Sequence, residues 1–287
     1  MNNDEIWNHL KNLNDDVIIA STIKSGTTWL QQIVAQIIFE SKFNQNLNET
    51  SLWIDTLRDF TENELLDKIG KQNHRKFLKT HSPASVVYKN NSNLKYLFIT
   101  RDFRDVVWSF FNHFVNSKYK ILDKSNTNSI TKKLRESSDP YEFWNIIMDN
   151  QDIFYKCKSY KIIWSYFDTI KTWLQVKDND NVLILHFNDL KKNLKGNIIN
   201  ISKFLGYNYD DEIINKIHYK CTFEYMKNNS TKCVPFAFKN SKNFINKGTN
   251  KRWKDKLSEE DLDKYKKLIT SFFEDQVVEW IENGSIN

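Results

Sequence analysis

The sequence predicts an α/β protein built on a doubly wound, mainly parallel sheet, and three observations predict it. Short apolar runs at 17–20, 76–80, 94–100 and 182–187 have the length and composition of strands buried on both faces. Segments with helical spacing separate these runs, so strand and helix alternate along the chain. Lys24, His81, Arg101 and Phe187 all fall at the carboxyl ends of the runs, where open parallel sheets bind ligands. No internal repeat or linker interrupts the pattern, and residues 1–287 read as a single domain.

The first strand, 17–20, leads into Lys24-Ser25-Gly26-Thr27-Thr28 and then into a helix with apolar residues at Leu30, Ile33, Val34, Ile37 and Ile38. A strand-to-helix turn of this kind suits an anion. The helix start offers unpaired N–H groups, Gly26 lets backbone approach closely, the hydroxyls donate and Lys24 adds charge. A plain capped helix with Ser25 or Thr27 as N-cap is the competing reading. The turn is not the Walker loop, because Lys24 precedes the only glycine.

Residues 44–50 read as a polar loop, followed by Trp53, and 61–69 as a short helix with Glu62 and Glu64 near its start. The strand at 76–80 stops at His81-Ser82-Pro83. The strand at 94–100 runs into Arg101-Asp102 and a helix over 105–114, with Ser109 on it; 121–135 reads as a polar loop or lid. Helical spacing from 140 to 176 carries many aromatics (Tyr141, Phe143, Trp144, Phe154, Tyr155, Trp164, Tyr166, Phe167, Trp173), most of them expected in the core. After a turn at 178–181 comes the strand at 182–187, and then helices at 197–205, 210–218 and 258–281.

The totals exclude several classes. A net charge of +6, from 42 basic and 36 acidic residues, suits an anionic ligand but is too small to indicate nucleic acid. Cys157, Cys221 and Cys233 are widely spaced and form no Cys-x-x-Cys pair, which predicts reduced thiols and no zinc site. The polar start and the lack of a long apolar segment predict a cytoplasmic protein without a membrane association.

Four segments together resemble the cytosolic sulfotransferases. Residues 23–29 resemble that family's phosphosulfate-binding loop, and Lys79-Thr80-His81 its segment with the catalytic histidine. Residues 100–109 are similar to its 3′-phosphate motif, with Arg101 and Ser109 eight residues apart, and 246–254 to its late Arg-Lys-Gly segment. The matches come in the family's order over residues 17–258. The resemblance implies a P-loop-like, nucleotide-kinase-like turn and 3′-phosphoadenosine 5′-phosphosulfate (PAPS) as sulfuryl donor. It implies a small acceptor, an alcohol or phenol or else an amine, and no metal. His81 would take the acceptor proton, Lys24 would stabilise the leaving group, and Lys79 would add charge. Ser25, Gly26, Thr27, Thr28 and Trp29 would hold the phosphosulfate with Lys24, and Arg101, Ser109, Lys247 and Gly248 the 3′-phosphate. Trp53, Phe187 and Phe223 would enclose the adenine, with Thr222 nearby.

The chain departs from the pattern in places. Ile23 replaces a proline, and Asn246 stands where an arginine is expected, so Lys247 with Lys251 or Arg252 is expected to compensate. The dimer motif maps to Lys254, Ser258, Glu259 and Asp263 with Glu259 in place of an apolar residue, which predicts a monomer or weak homodimer. Two other functions fit parts of the pattern. A nucleotide or nucleoside kinase would require magnesium, and a non-catalytic nucleotide-binding protein would have no use for His81.

Overall fold

The structure is a computed structural model that describes residues 6–10, 13–55, 61–88, 93–116, 133–134, 136–149, 166–234 and 241–285. Four strands, β1 (Val17–Ser21), β2 (Phe77–Thr80), β3 (Lys95–Thr100) and β4 (Val182–His186), form one parallel sheet in the order β2-β1-β3-β4. The register pairs Val17 with Phe77 and with Lys95, and Tyr96 with Val182. Side chains alternate between the two faces with the period of two that a strand requires. Ile18, Ala20, Leu78, Tyr96 and Phe98 enter one core, and Val17, Ile19, Phe77, Leu97 and Ile99 the other. Burial on both faces explains why the strands read as unbroken apolar runs.

The second core is aliphatic and seats the helix Thr27–Ile38 through Leu30, Ile33, Val34 and Ile37. The first is aromatic. Trp173 stacks on Phe98 with centroids 5.3 Å apart, and Phe103 meets Trp144, Tyr166, Phe167 and Tyr265. The chain crosses from β1 outward to β2 and then back over to β3, so the order reverses between β1 and β3. Such a reversal is where a doubly wound sheet opens a crevice at its carboxyl edge.

A buried guanidinium ties the end of the chain to this edge. Arg104 bonds Asp102, pairs with Glu282 at 3.1 Å, and lies 4.0 Å from the Trp253 ring centroid and 4.7 Å from that of Tyr265. The segment carrying Trp253 and the helices Glu259–Thr270 and Asp275–Asn283 are thereby held against the residues that follow β3.

Several elements differ from expectation, each for a local reason. The polar loop at 44–50 contains a one-turn helix, Leu47–Thr50, because Asn46 caps the Asn48 amide. Phe187 does not end a strand but begins the helix Phe187–Lys192, since the His186 side chain accepts the Asn188 N–H. The single helix predicted over 258–281 is two helices: the Phe272 and Phe273 amides turn back to the Ile269 carbonyl, ending the first. The helix predicted over 105–114 is Phe103–Asn116. The aromatic stretch at 140–176 holds helices Pro140–Asp149 and Tyr166–Leu174, and Tyr141 is exposed rather than in the core. Phe154, Tyr155, Trp164, Cys157 and nearly all of the lid at 121–135 lie outside the described residues. Among the described residues no helix is long and apolar enough to cross a membrane.

Candidate active site

The turn after β1 begins a helix that no side chain caps. Gly26 is the N-cap with φ 101°, and the helix Thr27–Ile38 has no side-chain cap hydrogen bond among the described residues. Neither Ser25 nor Thr27 is the cap: Ser25 Oγ bonds Thr22 Oγ1, and Thr27 Oγ1 bonds Ser21 Oγ at 2.5 Å. A Cβ on Gly26 would stand 2.8 Å from the Phe187 ring, so both conformation and space require glycine. Lys24, φ 57°, is also left-handed, a conformation that costs a non-glycine residue energy and that the surrounding turn must enforce.

Residues after β2 add a base. The His81 Nδ1–H donates to the Ser21 carbonyl oxygen at 3.0 Å, with Ser21 Oγ at 3.1 Å. A carbonyl can only accept, so Nδ1 carries the proton and Nε2 is the basic nitrogen. Burial, followed by repulsion from Lys79, lowers the imidazole to about 3, which keeps it neutral. The His81 backbone N–H donates to Asp55, which also accepts from Thr80 Oγ1 at 2.6 Å, Ser82 Oγ at 2.8 Å and Trp53 Nε1 at 3.0 Å. Trp53 pairs with Lys79 alongside β2, its ring 4.1 Å below the Lys79 ammonium and edge-on to His81 at 5.3 Å.

Lys24 comes to the same place. Its Nζ donates to His113 Nδ1 at 3.1 Å and lies 4.3 Å from the Phe244 ring centroid. Burial, then repulsion from Lys79 and Arg101, lowers it to about 7; burial lowers Lys79 to about 8, with Asp55 opposing. Lys24, Lys79, His81 and His113 are each only half-buried, so a ligand can reach them. Cations gathered this way favour an incoming anion, which would raise the depressed lysines again.

A second cluster lies across the reversal, after β3. Arg101 is 6% exposed; its Nη2 donates to Asn250 Oδ1 at 2.7 Å and to the Thr249 carbonyl at 3.2 Å, and its plane lies 4.2 Å from the Phe187 ring. The ion pair with Asp105 is present but loose, at 3.9 Å. Arg101 Nε and Asp105 Oδ2 are both buried without a hydrogen-bond partner among the described residues. Asp105 Oδ1 accepts the Lys251 N–H at 2.7 Å, and burial raises the carboxyl to about 6 against the pull of Arg101. Arg252 is half-buried close enough to perturb Arg101 and to feel Asp105. Gly248, φ 62°, lies under Phe223, whose ring would be 2.6 Å from an added Cβ.

The structure therefore brings most of the predicted residues into two neighbouring groups, joined by Phe187, which contacts Gly26, Arg101 and Trp29. Trp53 contacts Lys79, His81 and Asp55, and the tryptophan that meets Phe187 is Trp29, edge-on at 5.3 Å with Nε1 bonded to the Cys221 carbonyl. The Thr222 hydroxyl serves as helix cap for Tyr225, Phe223 is 39% exposed, Ser109 is half-buried on its helix and Lys247 is exposed. Sequence reasoning missed Ser21, Asp55, His113, Phe244 and Asn250. Asp55 and Ser21 flank motifs already read, but a carboxylate two residues after Trp53 carries no signal until β2 is placed beside it. No group of three or more His, Cys, Asp or Glu among the described residues could hold a metal ion.

Such a turn, with a buried guanidinium across the reversal, gives an α/β sheet a carboxyl edge suited to an anion. Comparison with known proteins gives the family: the sulfotransferase domain model matches residues 14–279, so the chain belongs to the sulfotransferase family and is an enzyme of that class. Similar proteins include the amine sulfotransferase of Oryctolagus cuniculus, 29% identical over 93% of this chain and 83% of the relative. Sulfotransferase 1C2 of Rattus norvegicus is 26% identical over 88% and 81%. The fold matches mouse sulfotransferase SULT7A1 complexed with PAP, with TM-score 0.70 and 19% identity over 97% and 91% of the two chains. It also matches retinol dehydratase in complex with androsterone and PAP, with TM-score 0.71 and 22% identity over 94% and 84%.

Proposed function

We propose that the protein transfers the sulfuryl group of PAPS to a hydroxyl or amine of a small acceptor by in-line displacement. The observation that carries this reading is the convergence of a neutral imidazole and two depressed lysines on a glycine turn, with a buried guanidinium in the neighbouring group whose Nε has no hydrogen-bond partner among the described residues. An anion with two separated phosphate-like groups fits that arrangement better than a triphosphate. The donor supplies an activated sulfuryl group; this chain supplies positions and charge.

The first-turn amides, Thr27 and Thr28 would hold the 5′-phosphosulfate, with the dipole of the helix behind them. Lys24 would donate to the bridging oxygen as negative charge collects there, and Lys79 would add charge beside the transferring group. His81 Nε2 would take the acceptor proton as the new S–O or S–N bond forms, with Nδ1–H held by Ser21. Arg101, Ser109, Lys247 and the backbone at Gly248 would take the 3′-phosphate, and Arg252 would stand in for the guanidinium missing at Asn246. Trp29, Phe187 and Phe223 would enclose the adenine, Trp29 taking the place first given to Trp53. A relative named for amines, and structures holding androsterone or retinol, support a small acceptor with an apolar body. The same reading places the enzyme in the cytoplasm as a monomer or weak homodimer.

The test is a PAPS-dependent acceptor screen by mass spectrometry with wild type and His81→Ala. Sulfated products are expected without added magnesium, and the variant should lose about 10²–10⁴-fold in rate while still binding PAP. Transfer at an unchanged rate in His81→Ala would remove His81 as base; phosphorylated products would favour a kinase.

A further inference from the structure

Lys24 is the group whose charge the proposed reaction uses, and its ammonium has a built partner. His113 lies on the helix Phe103–Asn116, well away from the turn in sequence, and its Nδ1 accepts from Lys24 Nζ at 3.1 Å. Phe244, from the helix Ser241–Phe244, completes the seat: its ring centroid is 4.3 Å from the ammonium and 5.9 Å from the His113 ring. Phe110, one turn earlier on the helix, stacks on His113 at 6.4 Å. An imidazole that accepts at Nδ1 carries its proton on Nε2, so one tautomer is selected.

We propose that His113 is a positioning residue for Lys24, orienting its ammonium and keeping it charged at the reaction centre. The inference rests on the sulfuryl-transfer reading, in which Lys24 donates to the leaving nucleotide. An ammonium has three N–H donors, so Lys24 can keep His113 while giving another to a bound anion. The partner matters because the charged groups that press on Lys24, Lys79 from β2 and Arg101 after β3, are both cations and add to the cost of its burial. His113 itself faces Lys24, Lys79 and His81, all of which disfavour its protonation, so it stays a neutral acceptor. Phe244 offers a ring face, which attracts a cation without adding a competing proton site.

The sign of the effect follows. Binding an anion through Lys24 needs the ammonium, so affinity falls as pH rises through the lysine's value in the free protein, about 7. Removing the acceptor destabilises the ammonium and moves that alkaline limb to lower pH. Lys79, at about 8, contributes a second limb that His113 does not touch.

The experiment is calorimetric titration with PAP from pH 5.5 to 9 on wild type, His113→Phe, His113→Asn and Lys24→Arg. Asn places an acceptor oxygen near the position of Nδ1, whereas Phe keeps the ring and loses the acceptor. His113→Phe is expected to shift the first alkaline limb down by about one unit and to weaken PAP about tenfold at pH 8, with His113→Asn close to wild type. Lys24→Arg stays charged throughout and should lack this limb, and adding His113→Phe to it should change nothing. An unshifted limb in His113→Phe, or an equal loss at every pH, would overturn the proposal. Wild type that fails to bind PAP would overturn the sulfuryl-transfer reading instead.

Discussion

Asp55 shows how much of the site depends on a single side chain that touches no reacting atom. It receives the His81 and Thr80 groups, Ser82 and Trp53, and its burial raises the carboxyl while those donors oppose the rise. Asp55→Asn leaves an amide among donors that need an acceptor, so at least one bond turns repulsive. The expected result is a loss of about 1–3 kcal/mol in stability, read by chemical denaturation, together with a lower kcat as the His81 backbone shifts. His81, Lys24 and Arg101 were legible because motif spacing places them at strand ends. Asp55 and His113 were not, because their roles depend on which strand or helix lies alongside, and that information is tertiary. The pairing of Trp53 with β2 was hidden for the same reason: an isolated tryptophan after the first βα unit gives no hint of it.

At the scale of elements, the β1 turn is fixed from two sides. Its glycine is demanded by a left-handed φ and by the Phe187 ring, and Phe187 is held there by the cap that His186 provides for its helix. Gly26→Ala should therefore both destabilise the fold and displace Phe187. Lower thermal stability and weaker PAP binding are expected together; retention of both at wild-type values would mean the turn is less constrained than described. The strands were readable to within a residue or so because buried parallel strands are continuous apolar runs. Helix ends were less so. The break at 271–274 depends on Phe272 and Phe273 packing on Phe167, which overrides a periodicity that continues through it.

For the whole molecule, function and stability pull the site's lysines in opposite directions. Lys24 and Lys79 are depressed from 10.5 to about 7 and about 8, so the unfolded chain binds protons that the folded protein lacks as pH rises above 7. Stability then increases with pH across that window, and Tm should be higher at pH 8.5 than at pH 7. Lys24→Met should flatten the rise. The cost is accepted because the same crowding of cations on one edge of the sheet creates the attraction for a polyanion. The overall sheet and its carboxyl edge followed from the alternation of apolar runs and helices alone. Which acceptor the protein serves depends on surfaces that no motif encodes.

The central claim is that the sheet edge holds two separated anionic groups of one nucleotide, the first on the Gly26 turn and the second at Arg101. Calorimetric titration of wild type with PAP and with AMP, which lacks the 3′-phosphate, tests it most directly. PAP is expected to bind about a hundredfold tighter, as two or more charge-assisted hydrogen bonds to the 3′-phosphate would give, and Arg252→Ala should narrow that gap while leaving AMP unaffected. Equal affinities for PAP and AMP would contradict the account.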